Sequence, residues 1–336
     1  MKRILIDIAT EQTGLQRLRA LPGVMVETVE IAKAARALPA ELLREQHILV
    51  CKTPPLNFDD LHSLEFMQIS TVGYEHLRHL GLAHRPIRVC NARGVFDTAI
   101  AEWNLAMMIN LRRDLRELIR QQERGDWQRA SRFQQEVRGR VVGLWGYGGI
   151  GRETARLAKA FGMTVHVMSR SPVGPRSTAY TFNGTGDPDG ILPDRVYTLG
   201  QELSFLAGLD FLILALPHTQ KTTGLIGERE LRALPAHAFV LNPARGPIIQ
   251  EQALLAALRE GWIAGAALDT HFAYPLPADH PLRQFPNVIL TPHIAGADKS
   301  PDFPGRMWDL CVQNVKRYLA GAPLLNEVTL AEWREA

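Results

Sequence analysis

Gly146, Gly148 and Gly151 lie in the run Val141-Val142-Gly143-Leu144-Trp145-Gly146-Tyr147-Gly148-Gly149-Ile150-Gly151, a Gly-x-Gly-x-x-Gly spacing that can cradle phosphate. Glycine is common, so the spacing alone is weak evidence, and the flanks carry the argument. Val141, Val142 and Leu144 read as a buried parallel strand, while Ala155, Leu157, Ala158 and Phe161 give the following segment a helical apolar face. In such a strand–turn–helix, Gly146 permits the tight turn, Gly148 lets backbone approach a pyrophosphate, and Gly151 lets helix pack closely on strand. Tyr147, Gly149 and Ile150 complete the loop, and the first helical turn offers unpaired N–H groups and a positive dipole end to the phosphates. An ordinary βα turn is the alternative; the context favours a dinucleotide.

Apolar strand-like runs precede this loop at Ile4 to Ile8, His47 to Cys51, Met67 to Val72 and Ile87 to Cys90, with helical patterns between them at Leu15 to Leu21 and Phe58 to Leu64. A second series follows at Thr164 to Met168, Phe211 to Leu216, Phe239 to Asn242, Ala264 to Leu268 and Val288 to Leu290. Alternation of this kind is the sequence form of α/β architecture with parallel sheets. A chain of 336 residues exceeds the usual single core, so two domains are expected. A helical pattern from Thr98 to about Gln122 suits a link between them. A terminal helix from about Arg306 to Leu319 comes after the second series closes, so it should pack back on the first domain. The expected division is therefore 1–96 plus 293–336 for a discontinuous substrate domain, and 97–292 for a dinucleotide-binding domain. Ser171 to Pro193, rich in Gly, Pro, Ser and Thr, reads as a long surface loop.

With 38 basic and 35 acidic residues, the charge is too balanced to argue for nucleic acid. Arg112, Arg113, Arg116 and Arg120 alternate with Leu111, Leu115 and Ile119, which reads as the solvated face of an amphipathic helix. Cys51, Cys90 and Cys311 are far apart in apolar runs and fit buried thiols in a reducing compartment, with no metal site expected. The N-terminus meets Asp7 too early for a signal peptide, and no apolar run reaches the roughly 18 residues of a membrane span. A soluble, cytoplasmic protein without a membrane partner is expected.

Three further motifs follow the loop in order: Asn242-Pro243-Ala244-Arg245-Gly246, Ala266-Ala267-Leu268-Asp269 and Thr291-Pro292-His293-Ile294. Together with Gly146 to Gly151 they closely resemble the D-isomer-specific 2-hydroxyacid dehydrogenases, from about Ile87 to the terminal helix and more weakly before it. The resemblance implies two Rossmann-like or flavodoxin-like doubly wound domains, with a small 2-oxo or 2-hydroxy acid in the cleft between them. It implies that Arg245 binds the substrate carboxylate and that His293 exchanges the hydroxyl proton as hydride moves to or from a nicotinamide. The residue types suit those tasks: a guanidinium grips a carboxylate bidentately, and imidazole titrates near neutrality. It further implies that Leu216, Pro217 and Thr219 pass beneath the adenosine ribose and that Pro243 and Asp269 lie near the nicotinamide. In the first domain it points to Val72 and Gly73, with Lys52, for the substrate carboxylate. A homodimer is the usual assembly of such proteins.

The resemblance breaks at Tyr274, where the family carries the glutamate that orients and charges the histidine. Loss of that carboxylate should weaken the hold of His293 on its proton, and the Tyr274 hydroxyl is expected to take over the orienting hydrogen bond. His271 and His280 lie near this segment and read as exposed loop histidines. At the end of the second strand, Ser169, Arg170 and Ser171 stand where an aspartate would accept the ribose of NAD. An arginine and two hydroxyls there can bind a 2′-phosphate, so NADP(H) is expected to be preferred, with NAD(H) possible. Arg176 is a further candidate for that phosphate. Two rivals remain: a nucleotide-binding scaffold or sensor with weakened catalysis, and a dehydrogenase of a sugar acid or other unusual substrate. The latter is suggested by the bulk of Phe96, Trp103, Phe272 and Tyr274.

Overall fold

The computed structural model describes residues 1–32 and 34–335 and divides the chain into two compact units. The first comprises Met1–Val95, Ser177–Phe182 and the chain from Lys299 onward; the second comprises Phe96–Arg176 and Asn183–Asp298. His293 thus belongs to the second unit.

In the first unit, β1 (Lys2–Asp7), β2 (Val24–Thr28), β3 (Ile48–Cys51), β4 (Phe66–Ile69) and β5 (Arg88–Cys90) form a parallel sheet of order β2-β1-β3-β4-β5. Every residue of β3 and β4 is buried, which explains their unbroken apolar runs. The long helix Asp302–Leu319 packs on the helix Gln12–Arg19, where Gly14 lies flat against the buried Trp308. The three cysteines are free and buried. Phe58 to Leu64 makes only a short 3-10 turn at Phe58–Asp60, because its apolar residues face the core from a bend and no hydrogen-bonded helix continues.

In the second unit, β6 (Val141–Trp145), β7 (Thr164–Met168), β8 (Arg195–Tyr197), β9 (Phe211–Leu214), β10 (Phe239–Asn242), β11 (Gly265–Leu268) and β12 (Val288–Leu290) follow one another. They pair in parallel in the order β12-β11-β10-β9-β6-β7-β8. Chain order reverses beside β6, and in open α/β sheets ligands bind outside the carboxyl ends of strands at such a switch point. Because all seven strands run the same way, the segments after β6, β7, β9, β10, β11 and β12 emerge on one edge. Those are the segments that carry the sequence motifs.

The helical pattern from Thr98 to Gln122 is broken. Asp114 adopts the left-handed conformation at φ 46°, and separate helices span Asp97–Arg113 and Leu115–Arg124. Aspartate tolerates that conformation better than most residues. The arginines there form a solvated face only in part: Arg113 is exposed and Arg120 partly so, but Arg112 and Arg116 turn inward. Arg112 is buried, and Arg116 donates to the carbonyl of Phe285 at 2.6 Å and to that of Val288. The segment Ser171 to Pro193 is more than a surface loop. Asp187 is 3% exposed, and its carboxylate accepts the Tyr147 hydroxyl at 2.6 Å and takes the N–H groups of Gly190, Ile191 and Leu192. In the first unit, Tyr180 is buried and its N–H donates to the Asn326 side chain at 3.0 Å.

Candidate active site

Two glycines of the phosphate loop, Gly146 and Gly151, are dictated by the protein's own backbone, and Gly149 is crowded by a side chain. Gly146 has φ 103°, and an added Cβ would lie 2.5 Å from the Ala215 carbonyl oxygen. A Cβ on Gly151 would lie 2.5 Å from the Gly146 oxygen, and one on Gly149 would meet the Asp97 carboxylate, 2.7 Å from its Cγ. Gly148 differs. It has φ −78°, and a Cβ there would meet nothing within 4 Å. No packing or backbone demand in the protein calls for glycine at 148, whereas a pyrophosphate drawn onto the N-terminus of the helix Gly149–Ala160 would. Tyr147 turns its side chain away into the Asp187 cluster, so its part in the loop is a backbone one.

After β7, the Ser169 hydroxyl donates to the Ser171 carbonyl at 2.7 Å, while Arg170 and Ser171 are exposed. No carboxylate occupies positions 169–171, so nothing there repels a 2′-phosphate. After β9, Thr222 Oγ1 donates to the Pro217 carbonyl at 2.8 Å and accepts the Thr219 N–H at 2.8 Å, which folds Leu216 to Thr219 into a turn. The residues present fit a nicotinamide dinucleotide.

Arg245 follows β10. The buried Asn242 side chain accepts the Ala244 N–H at 3.0 Å and donates to the Arg245 carbonyl at 2.9 Å, so the Asn-Pro-Ala-Arg turn is held from within. The Arg245 guanidinium donates to the Ala244 carbonyl at 2.8 Å and stays partly exposed. The next residue must be glycine, since a Cβ on Gly246 would press on the His271 carbonyl group, 2.5 Å from its carbon.

Asp269 follows β11 and is 1% exposed. Burial of an unpartnered carboxylate would argue for a ligand, but this one is satisfied by the protein. It accepts Thr291 Oγ1 at 2.5 Å and the N–H groups of Ile294 and Ala295 at 2.9 Å each. Its burial therefore carries no argument for the nicotinamide. Thr291 Oγ1 in turn accepts the indole N–H of Trp103 at 3.2 Å.

His293 follows β12 with φ 57°, and its N–H donates to the carbonyls of Asp269 at 2.8 Å and Thr291 at 3.0 Å. Although the residue as a whole is exposed, the groups around it partly desolvate its imidazole. That shielding, and next the charge of Arg245, hold the imidazolium below the ordinary histidine range, with Asp269 opposing them.

Tyr274 does not take the expected role. Its hydroxyl accepts the backbone N–H of His271 at 3.2 Å, and what it presents to His293 is its ring, with centroids 5.6 Å apart. The three-residue turn from His271 brings the phenol oxygen onto that amide. His271, expected as an exposed loop residue, is buried between Tyr274 and Thr291. His280 stands elsewhere, paired with Glu251 at 2.8 Å and accepting the Leu282 N–H. Thr291, Asn242 and Trp103 hold the site, and their positions inside or opposite the motifs are the only signal the sequence offers. Phe96 lies 3.0 Å from where a Cβ on Gly296 would sit, beside the His293 turn. In the first unit, Asn91 donates to the Val72 carbonyl at 3.0 Å and Thr71 to the Gly73 carbonyl at 2.8 Å, which shapes that loop.

The sheet order, the glycine loop and the strand-end groups define a nicotinamide-dinucleotide oxidoreductase. The family model of the D-isomer specific 2-hydroxyacid dehydrogenase NAD binding domain matches residues 105–295. A glyoxylate reductase of Thermofilum pendens is 30% identical over 318 residues, 92% of this chain and 89% of the relative. A D-isomer specific 2-hydroxyacid dehydrogenase from Xanthobacter autotrophicus, solved with NADPH, is 26% identical with TM-score 0.76 over 98% of this chain and 99% of that one. The NADPH-dependent glyoxylate/hydroxypyruvate reductase of Sinorhizobium meliloti is 27% identical with TM-score 0.72, covering 98% of both chains. The chain belongs to the D-isomer specific 2-hydroxyacid dehydrogenase family and is an NAD(P)-dependent oxidoreductase of that family. Among the described residues, no helix is long and apolar enough to cross a membrane.

Proposed function

We propose that the protein reduces a small 2-oxo acid to the D-2-hydroxy acid with NADPH, Arg245 binding the carboxylate and His293 supplying the proton. When bound, the dihydronicotinamide supplies the hydride. Arg245 grips the substrate carboxylate and polarises the adjacent carbonyl, and the His293 imidazolium donates to the oxygen as it becomes a hydroxyl. In the reverse direction neutral His293 accepts that proton. Lys52, Val72 and Gly73 keep their proposed part at the carboxylate. Pro243 and Asp269 keep theirs beside the nicotinamide, Asp269 through whatever acceptor capacity its three protein donors leave.

The observation that carries this reading is that Arg245 and His293 leave the same edge of one parallel sheet, from turns after β10 and β12 on either side of β11, and the Arg245 charge acts to lower the proton affinity of His293. Preference for NADPH is supported by Ser169-Arg170-Ser171 and by the relatives solved with or dependent on NADPH. The reading extends to a homodimer working in the cytoplasm. One observation favours a weakened enzyme or sensor: a phenol ring, not a carboxylate, faces His293. Purified protein, NADPH or NADH, and a panel including glyoxylate, hydroxypyruvate and longer 2-oxo acids decide between them. Consumption of NADPH with at least one acid is expected. NADPH binding without turnover on any acid replaces the oxidoreductase by the sensor.

A further inference from the structure

His271 is a buried polar group that the proposed reaction leaves without a task. It is 6% exposed, and its two ring nitrogens are in opposite situations. Nε2 lies 2.8 Å from the Thr291 carbonyl oxygen, which can only accept, so Nε2 carries the proton. Nδ1 is buried with no hydrogen-bond partner among the described residues. A phenylalanine of nearly the same shape would fill the space without leaving a nitrogen unsatisfied. What the imidazole offers in exchange is its bond to Thr291.

We propose that His271 is a positioning residue for His293, acting through the Thr291 carbonyl and clamped by Tyr274. The proposal rests on the reading of His293 as proton donor. Thr291 O receives two donors, His271 Nε2–H at 2.8 Å and the His293 N–H at 3.0 Å. His293 needs such support because φ 57° is a conformation that non-glycine residues adopt at a cost and keep only when surroundings impose it. Tyr274 is the second arm. Its hydroxyl fixes the His271 backbone N–H, and its ring stands against both imidazoles, 6.1 Å from His271 and 5.6 Å from His293 between centroids. Gly246 abuts the His271 carbonyl, so the turn bearing Arg245 is registered against the same residue. A carboxylate at position 274 would orient His293 from one side by charge. Here a histidine and a tyrosine orient it by backbone and ring contact, and the charged groups acting on it remain Arg245, Asp269, Asp298 and any proton on His271.

The test compares His271→Phe, His271→Asn and His271→Gln in the full-length protein. Glutamine can place an amide N–H where Nε2–H stands; asparagine is too short and phenylalanine has no donor. Misplacing a proton donor by about 1 Å lowers turnover by about 10²-fold. We therefore expect kcat for 2-oxo acid reduction to fall about that far in the Phe and Asn variants, with Kd for NADPH within about twofold, and most of kcat to return in His271→Gln. NMR of 13C-labelled histidines supplies a readout that needs no turnover. The His293 ring signals and titration midpoint should move in the Phe and Asn variants and stay in the Gln variant. Should the Phe variant fail to fold, the Asn and Gln pair decides alone. Unchanged His293 signals with unchanged kcat in His271→Asn overturn the positioning role. If wild-type protein reduces no 2-oxo acid, the proton-donor reading fails, and the NMR comparison still tells whether His271 holds His293 in place.

Discussion

Asp269 holds the turn that carries His293 in two ways: its carbonyl accepts the His293 N–H at 2.8 Å, and its carboxylate takes the N–H groups of the next two residues. The carboxylate thus acts as the socket of the turn that carries the imidazole. Asp269→Asn would set an amide NH2 against one of those N–H groups. Hydrogen bonds to a charged acceptor contribute roughly 1.5–3 kcal/mol, and leaving a buried donor unmet costs a similar amount. We expect Asp269→Asn to lower stability by about 2 kcal/mol in urea denaturation and to lower kcat. Full stability in that variant would mean that the turn is held by other contacts.

The depressed proton affinity of His293 sets a pH dependence whose sign is fixed. In the proposed reaction reduction draws its proton from the His293 imidazolium, so kcat/KM for reduction should be complete below the histidine pKa and fall as pH rises through it. The pKa lies below the ordinary 6.5, for the shielding and the Arg245 charge already given, so the fall should be under way on the acid side of that value. Oxidation of the hydroxy acid should rise through the same midpoint. Tyr274→Glu would restore a nearby negative charge and shift the midpoint up by about one unit or more. A wild-type midpoint well above neutrality would remove the account.

Much of this was legible in the chain because chemistry sits at strand ends. Arg245 and Asp269 each follow a fully buried apolar run, His293 follows an apolar run in which Val288 is buried and its two neighbours partly so, and parallel pairing of those runs brings all three to one edge. Strands β2 and β8 carry no clean apolar run, because both are sheet edges and nearly all their residues reach solvent at least in part. The break at Asp114 was hidden since the apolar spacing continues across it, and a single left-handed residue leaves no mark on periodicity. The contacts of His271 with Tyr274 and Thr291 were not legible either. They depend on how a loop returns across the ends of β11 and β12, which no spacing rule encodes.

The glycines of the phosphate loop should separate by what each accommodates. Gly146→Ala forces a side chain at φ 103° against the Ala215 carbonyl, so a loss of stability of about 2 kcal/mol or more is expected. Gly148→Ala has an ordinary φ and open space, so its melting temperature should stay within about 2 °C of wild type. Its methyl group would nevertheless stand where the pyrophosphate approaches, and Kd for NADPH should rise by about 10²-fold, near 2.7 kcal/mol. Calorimetric titration alongside thermal melts checks both. A Gly148→Ala protein that binds NADPH as wild type does would place the phosphates elsewhere.

Cofactor choice should follow Arg170. A guanidinium on a 2′-phosphate forms charge-assisted hydrogen bonds contributing about 1.5–3 kcal/mol, equivalent to about 10- to 100-fold in affinity. The Ser169 hydroxyl already donates to the Ser171 carbonyl, so it must turn before it can give a proton to phosphate, and its contribution should be the smaller. We expect Arg170→Ala to raise KM for NADPH by about 10- to 100-fold while KM for NADH changes less than about threefold. Ser169→Asp should act more strongly, because a carboxylate repels the phosphate and accepts the ribose hydroxyls of NADH, reversing the preference. Steady-state kinetics with both cofactors at one fixed 2-oxo acid measure this. If wild-type protein uses NADH with the lower KM and equal turnover, Arg170 has no phosphate to bind and the strand-end reading is lost.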